Sequence, residues 1–280
     1  MTILIAEHNI LGAWLSAMAH LRASARHEDF NIILEMRSPL DISDADRAVG
    51  AHVNRFLTGH GVQALHTVAN TIFPDDLYRR YGTTGVFERY PEQVYPRIRK
   101  CPKNSWGTYV HRMVRRIDSD GRMVNPLQNV VNRLKTEING GGNPKRARYE
   151  LNLVDPFLDL STSDPTLPGD ARAMGGPCLS HLSFKLREGS TVALTAFYRS
   201  HYYVERALGN LLGLSNLLNF VAAESGLQPG PLTCISSMAK IDYGQNWNFS
   251  EVERLLGKCK DLLTVGSSGA VPAIDAMNPA

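Results

Sequence analysis

Gly175-Gly176-Pro177-Cys178 leads into Leu182-Ser183-Phe184-Lys185-Leu186-Arg187, then Glu188-Gly189, then Val192-Ala193-Leu194-Thr195-Ala196-Phe197-Tyr198-Arg199-Ser200. Apolar and polar residues alternate on both sides of the Glu188-Gly189 pair, which is the period of two strands joined by a turn, so a β-hairpin is expected. Cys178 then stands at the start of the first strand and Arg199-Ser200 at the end of the second. From Leu208 to Ala223 the period changes: Leu211, Leu214, Leu218, Val221 and Ala222 recur at helical spacing. Gly226 and Pro229 end that run. A thiol, an arginine with a serine, and the helical amide Asn210 are thereby placed to surround one anionic heterocycle.

Outward from this unit, residues 8 to 24 carry the apolar stripe of a helix (Ile10, Leu11, Trp14, Leu15, Met18, Leu21), and Phe30 to Met36 reads as a strand. Helices are expected over 44 to 58, 60 to 69 and 126 to 138, and a strand over 149 to 154. The stretch from 74 to 105 is rich in Tyr, Arg, Pro and Gly without a clear period and reads as a surface loop. So does the polar tract from Asp155 to Gly176. Residues 1 to 265 are expected to form a single α/β domain, with 266 to 280 as a frayed tail.

The chain has 280 residues, 43% hydrophobic and 20% charged, enough for one sizeable core. A net charge of +3 argues against broad electrostatic binding to nucleic acid. No apolar run reaches the length of a membrane span, and Glu7-His8 interrupts the amino terminus, so neither a span nor a signal peptide is expected and a cytoplasmic protein is. Cys101, Cys178, Cys234 and Cys259 show no CxxC spacing, which favours reduced thiols and no metal site.

Pro177-Cys178, Arg199-Ser200 and Asn210 together resemble the nucleophile, phosphate-binding pair and base-reading asparagine of the thymidylate synthase superfamily, which includes pyrimidine nucleotide hydroxymethylases. The likeness is strongest over residues 176 to 228. Upstream, Asn132-Arg133-Leu134-Lys135 followed by Lys145-Arg146 is similar to the family's helix and twin basic residues, and Gly107-Thr108-Tyr109 to a family glycine and active-site tyrosine. The resemblance implies a mixed twisted sheet with helices on one face, a sheet-to-sheet homodimer, and a phosphate site that receives Lys145 and Arg146 from the partner. It also implies C5 methyl or hydroxymethyl transfer to a pyrimidine nucleotide, with methylenetetrahydrofolate as the one-carbon donor. Arg37, where a strand ends at a proline turn, is a candidate third phosphate arginine.

The chemistry suits these residue types. Pyrimidine C5 is a poor nucleophile until a thiolate adds at C6, after which C5 is enolate-like. A neighbouring arginine favours the thiolate, and a guanidinium matches a phosphate dianion. An amide carries one acceptor and donors together, and so meets O4 and N3–H of uracil at once. The chain also departs from the family. Leu179 stands where a histidine is expected, with His181 nearby and expected on the same side of the strand. His52 falls nearest the expected catalytic glutamate. Tyr202 replaces an aspartate that contacts folate, and Lys240 and Asp242 replace the histidine and tyrosine at the sugar 3′-hydroxyl. A lone cation beside a carboxylate would grip a ribose diol or an added phosphate, or else form a surface ion pair. A nucleotide-binding or regulatory protein that keeps the pocket without turnover is the alternative expectation.

Overall fold

The hairpin sits in the middle of an open sheet. The computed structural model describes residues 2–100, 106–140, 147–154, 177–187 and 190–267. In chain order, β1 (Ile3–Glu7), α1 (Ile10–Ala23), β2 (Glu28–Met36), α2 (Asp44–Gly59), α3 (Leu65–Ile72) and α4 (Asp75–Thr84) precede a π-helical segment (Gly85–Val94) and α5 (Tyr95–Ile98). There follow α6 (Tyr109–Val114), the short pair β3 (Arg116–Ile117) and β4 (Met123–Val124), α7 (Pro126–Asn139), β5 (Glu150–Asn152), β6 (Leu179–Arg187) and β7 (Thr191–Tyr198). Last come β8 (His201–Tyr202), a π-helical turn (Tyr203–Ala207), α8 (Leu208–Ser225), β9 (Gln228–Lys240) and α9 (Phe249–Ser267).

Among the described residues the main sheet has seven strands, ordered β1-β2-β9-β7-β6-β5, with β8 beside β9. It is mixed: β1 with β2, β9 with β7 and β8 with β9 are parallel, and the remaining pairs antiparallel. Alternation sorts its side chains. Leu182, Phe184, Val192, Leu194, Ala196, Tyr198, Leu232 and Cys234 are buried on the face that α1 and α8 cover. Their neighbours Thr195, Thr233, Ile33 and Ile235 lie half-buried on the other face. The expected mixed α/β architecture is therefore present.

Local chemistry sets the helix ends. Asn9 accepts from the amide of Gly12 to open α1. Ser43 and Asp46 form a reciprocal capping box on α2, at 3.1 and 2.8 Å. Asn125 caps α7 ahead of Pro126, which costs no hydrogen bond at that first position. Gly226, at φ 73°, closes α8 in the left-handed conformation that glycine adopts without strain.

Several expectations need correction. The helix expected over 60 to 69 begins later: Gly61 turns the chain at φ 73° after α2, and Asn54 Oδ1 accepts from the amide of Leu65 at 2.9 Å to start α3. The segment from 74 to 105, expected as a loop, is helical as far as Ile98. Its apolar residues are buried at Val86 and Tyr90, but i→i+5 bonding lengthens the repeat and hides it from a 3.6-residue template. Gly85 is required there, since a Cβ would lie 2.3 Å from the carbonyl oxygen of Leu77. β9 starts at Gln228 and runs through Pro229, which reads in the sequence as the stop of the preceding helix. Pro229 pairs with Val192, and the pairing with β7 then shifts before Leu232, an irregularity of the kind at which strand prolines are found. The turn at Glu188-Gly189, the tract from 155 to 176 and all of the tail beyond Ser267 lie outside the described residues.

Candidate functional site

Cys178 immediately precedes β6, and the hairpin brings it against the end of β7: the amide of Arg199 donates to the carbonyl of Cys178 at 3.0 Å. From the other side, the hydroxyl of Tyr109 accepts from the amides of Cys178 and Leu179 at 3.1 and 3.2 Å. Tyr109 is buried at the start of α6, whose cap Thr108 is held by the Tyr90 hydroxyl at 2.9 Å. With two donors already on its oxygen, the phenol keeps its own proton to donate. Burial pushes that phenol up to about 12, so it stays protonated at neutral pH.

Cys178 itself is half-buried. Burial raises its thiol above the ordinary value; the guanidinium groups of Arg199 and Arg206, with a side-chain hydrogen bond from Arg199, pull the other way. Arg206 had no part in the reading of the sequence. It lies in the π-helical turn before α8, pairs with Glu205 at 2.8 Å and also donates to Gln63. Its only sequence signal is a charge directly before an apolar helix. Tyr198 adds an unmet requirement: its hydroxyl is fully buried and has no hydrogen-bond partner among the described residues.

Asn210, in the first turn of α8, is 7% exposed and donates from Nδ2 to Nε2 of His201 at 3.0 Å. His201 Nδ1 lies 3.0 Å from Ser236 Oγ, which in turn meets the Tyr203 hydroxyl at 3.2 Å. The His201 ring stacks on Tyr198 with centroids 4.0 Å apart. Burial depresses its pKa to about 3, so the ring is neutral. Ser200 contacts only the Met238 sulfur, at 3.8 Å, among its hydrogen-bond partners in the described residues.

Other candidates fall elsewhere. A β-bulge between Leu179 and His181 puts Leu179 in the core, and His181 bonds to Asn152 and Glu150 at 2.7 and 2.8 Å; the two do not share a side of the strand. His52 is half-buried on α2, its charged neighbours being Arg55 and Lys258 of α9; burial first, and those cations second, hold its pKa below the usual value. Arg37 is exposed and follows Met36, which pairs with Leu232, whereas Tyr198 pairs with Ser236. Those two positions are about 13 Å apart along β9, and the register carries Arg37 and Arg199 toward opposite ends of the sheet. Lys145 and Arg146 lie outside the described residues.

Lys240 and Asp242 do not form an ion pair with each other. Lys240 lies 3.7 Å from Glu28, while the Asp242 carboxylate accepts from the amides of Val204 and Glu205 at 2.8 and 3.1 Å. Asp242 thus holds the π-helical turn ahead of α8, and burial raises its pKa to about 6. Both residues line a cavity of about 240 Å³ with Tyr202, Glu205 and Trp247.

No protein-family model matches the chain. It is 38% identical to a protein of Methanosarcina acetivorans named "Putative thymidylate synthase", over 84 residues that make up 30% of this chain and 38% of that one. A protein of the same name from Methanothermobacter thermautotrophicus is 36% identical over 127 residues, 41% of this chain and 54% of its own length. The chain resembles thymidylate synthases over part of its length. Its match spans about half or less of those relatives. No helix among the described residues is long and apolar enough to cross a membrane.

Proposed function

We propose that the protein is a thymidylate synthase-like transferase that adds a methyl or hydroxymethyl group to C5 of a uracil-type nucleotide, with Cys178 as the nucleophile. The observation that carries this reading is the seating of Cys178 between the Tyr109 hydroxyl and the guanidinium groups of Arg199 and Arg206, in a chain with thymidylate synthase-named relatives. The Cys178 thiolate adds to C6 and the C5–C6 π pair moves onto C5 and O4. C5 then attacks the electrophilic carbon of a one-carbon donor, whose bond to that carbon breaks with its electron pair staying on the donor side; a formaldehyde-level donor gives hydroxymethyl and a methyl-level donor gives methyl, so neither calls for a reductant. C5 loses its proton, the C5–C6 double bond re-forms, and the C6–S bond breaks to return the thiolate. Arg199 and Ser200 take the phosphate, Asn210 reads the base edge, and the Tyr109 O–H is a proton donor beside the reacting sulfur.

The donor is a separate matter. At the position where the family meets the pterin with a carboxylate, Tyr202 is 48% exposed, and the nearby Asp242 carboxylate is already committed to two amides. These residues do not fit methylenetetrahydrofolate in the family manner. The second reading, a nucleotide-binding regulatory protein, draws on the same loss and on the burial that raises the Cys178 thiol. Incubating the protein with pyrimidine nucleotides and a set of one-carbon donors, methylenetetrahydrofolate included, separates the two. Product mass should show an added methyl or hydroxymethyl group with the wild type and none with Cys178→Ala. Nucleotide binding without product for any donor favours the regulatory reading.

The half-buried second face of the sheet, with Phe30 and Leu4 at its exposed edge, supports a homodimer in which a second copy covers it. Such an arrangement would let Lys145 and Arg146 serve the partner's phosphate site. Light scattering at micromolar concentration tests it; a monomer there removes that shared role.

A further inference from the structure

We infer that His201 locks the Asn210 amide in the orientation that reads uracil and rejects cytosine, which makes His201 a specificity-determining positioning residue. The inference rests on the reading of Asn210 as the base-edge contact and adds a residue to it. An amide nitrogen only donates, so the 3.0 Å contact of Asn210 Nδ2 with His201 Nε2 requires an unprotonated Nε2. The ring proton then sits on Nδ1 and points at Ser236 Oγ, 3.0 Å away. Ser236 is itself fully buried and linked to the Tyr203 hydroxyl, and the ring is clamped flat against Tyr198, so the imidazole has no room to turn.

The consequence reaches the base. One Asn210 N–H is spent on His201, which leaves Oδ1 and the second N–H for a ligand. That pair accepts from N3–H and donates to O4, the edge of uracil. Cytosine offers the reverse, an acceptor at N3 and a donor at N4, and would need the amide turned over. With the ring proton held on Nδ1, turning it would set Oδ1 against the lone pair of Nε2 and leave both buried acceptors without a donor.

Calorimetric titration with uridine and cytidine 5′-monophosphates and their deoxy counterparts tests this on the wild type, His201→Phe and His201→Gln. Phenylalanine keeps the stack on Tyr198 but removes the acceptor, so the uracil-to-cytosine affinity ratio should fall by about tenfold or more. Glutamine offers an oxygen near the place of Nε2 and should restore the preference. An unmoved ratio in His201→Phe overturns the lock alone. Failure of every pyrimidine nucleotide to bind the wild type overturns the functional reading and the lock together. Nitrogen-15 NMR of the wild type, which needs no folded variant, should show the His201 proton on Nδ1; a proton on Nε2 overturns the lock.

Discussion

The Cys178 thiol stands under opposed influences: burial, the larger, raises its pKa, and two guanidinium groups lower it. The ligand-free thiol should therefore be alkylated with a pH midpoint above that of an unperturbed cysteine. Removing a cation withdraws support from the thiolate, so Arg199→Ala should move the midpoint further up. A midpoint that falls, or stays put, would mean the guanidinium does not act on the sulfur. At this scale the placing of several candidate residues was legible. Cys178, Arg199 and Asn210 announce themselves because strand alternation and helix period fix where a turn or strand end must be, and their spacing matches a known pattern. The histidine beside Asn210 was not legible. His201 follows an Arg-Ser pair in sequence, and only the return of α8 against β9 shows that its ring meets an amide nine residues later. The partners of Lys240 and Asp242 were not legible either: two residues apart in sequence, they line one cavity but bond to separate groups.

Elements pack through details that composition hides. Gly209 and Gly213 lie four residues apart on α8, on the face that meets α3. A Cβ on Gly213 would come 2.7 Å from the carbonyl oxygen of Ala69, a backbone atom that cannot yield cheaply. Gly213→Ala should therefore destabilise the fold by about 1–3 kcal/mol despite the better helix propensity of alanine, as read by urea unfolding. A stabilised variant would show that α3 is free to move away. Asp242 is the second test. Its pKa is raised from 3.8 to about 6, so ionising it costs more in the folded than in the unfolded chain. Its contribution to stability is then greatest below pH 4 and declines as pH rises toward 6. Asp242→Asn has no such titration, so the stability advantage of the wild type over it should shrink between pH 4 and pH 7, by at most roughly 3 kcal/mol. An advantage that grows over that range would mean the two amide bonds outweigh burial. The elements missed in the sequence share a cause: the π-helical segment after α4 and the proline-led start of β9 both break the regular repeats by which helices and strands are recognised.

Across the whole molecule, the sheet collects the site from distant parts of the chain. Tyr109 comes from α6, Cys178 from the residue just ahead of β6, and Asn210 from the helix that covers β7 and β9. The α/β class could be read from strand alternation and helical spacing together, with the mixed sheet implied by the family resemblance, whereas strand order, with β9 placed between β2 and β7, could not. No local pattern records which strands will be neighbours. The central claim is that this assembly lets Cys178 add to C6 of a bound uracil nucleotide. Addition leaves C5 enolate-like, so its proton should exchange with solvent even when no one-carbon donor is present. Proton NMR of uridine and deoxyuridine 5′-monophosphates in deuterium oxide measures this directly. The wild type should wash the C5 proton out, and Cys178→Ala should slow that loss by at least about 10³-fold. Exchange undiminished in Cys178→Ala, or no exchange by a wild type that binds the nucleotide, would contradict the account.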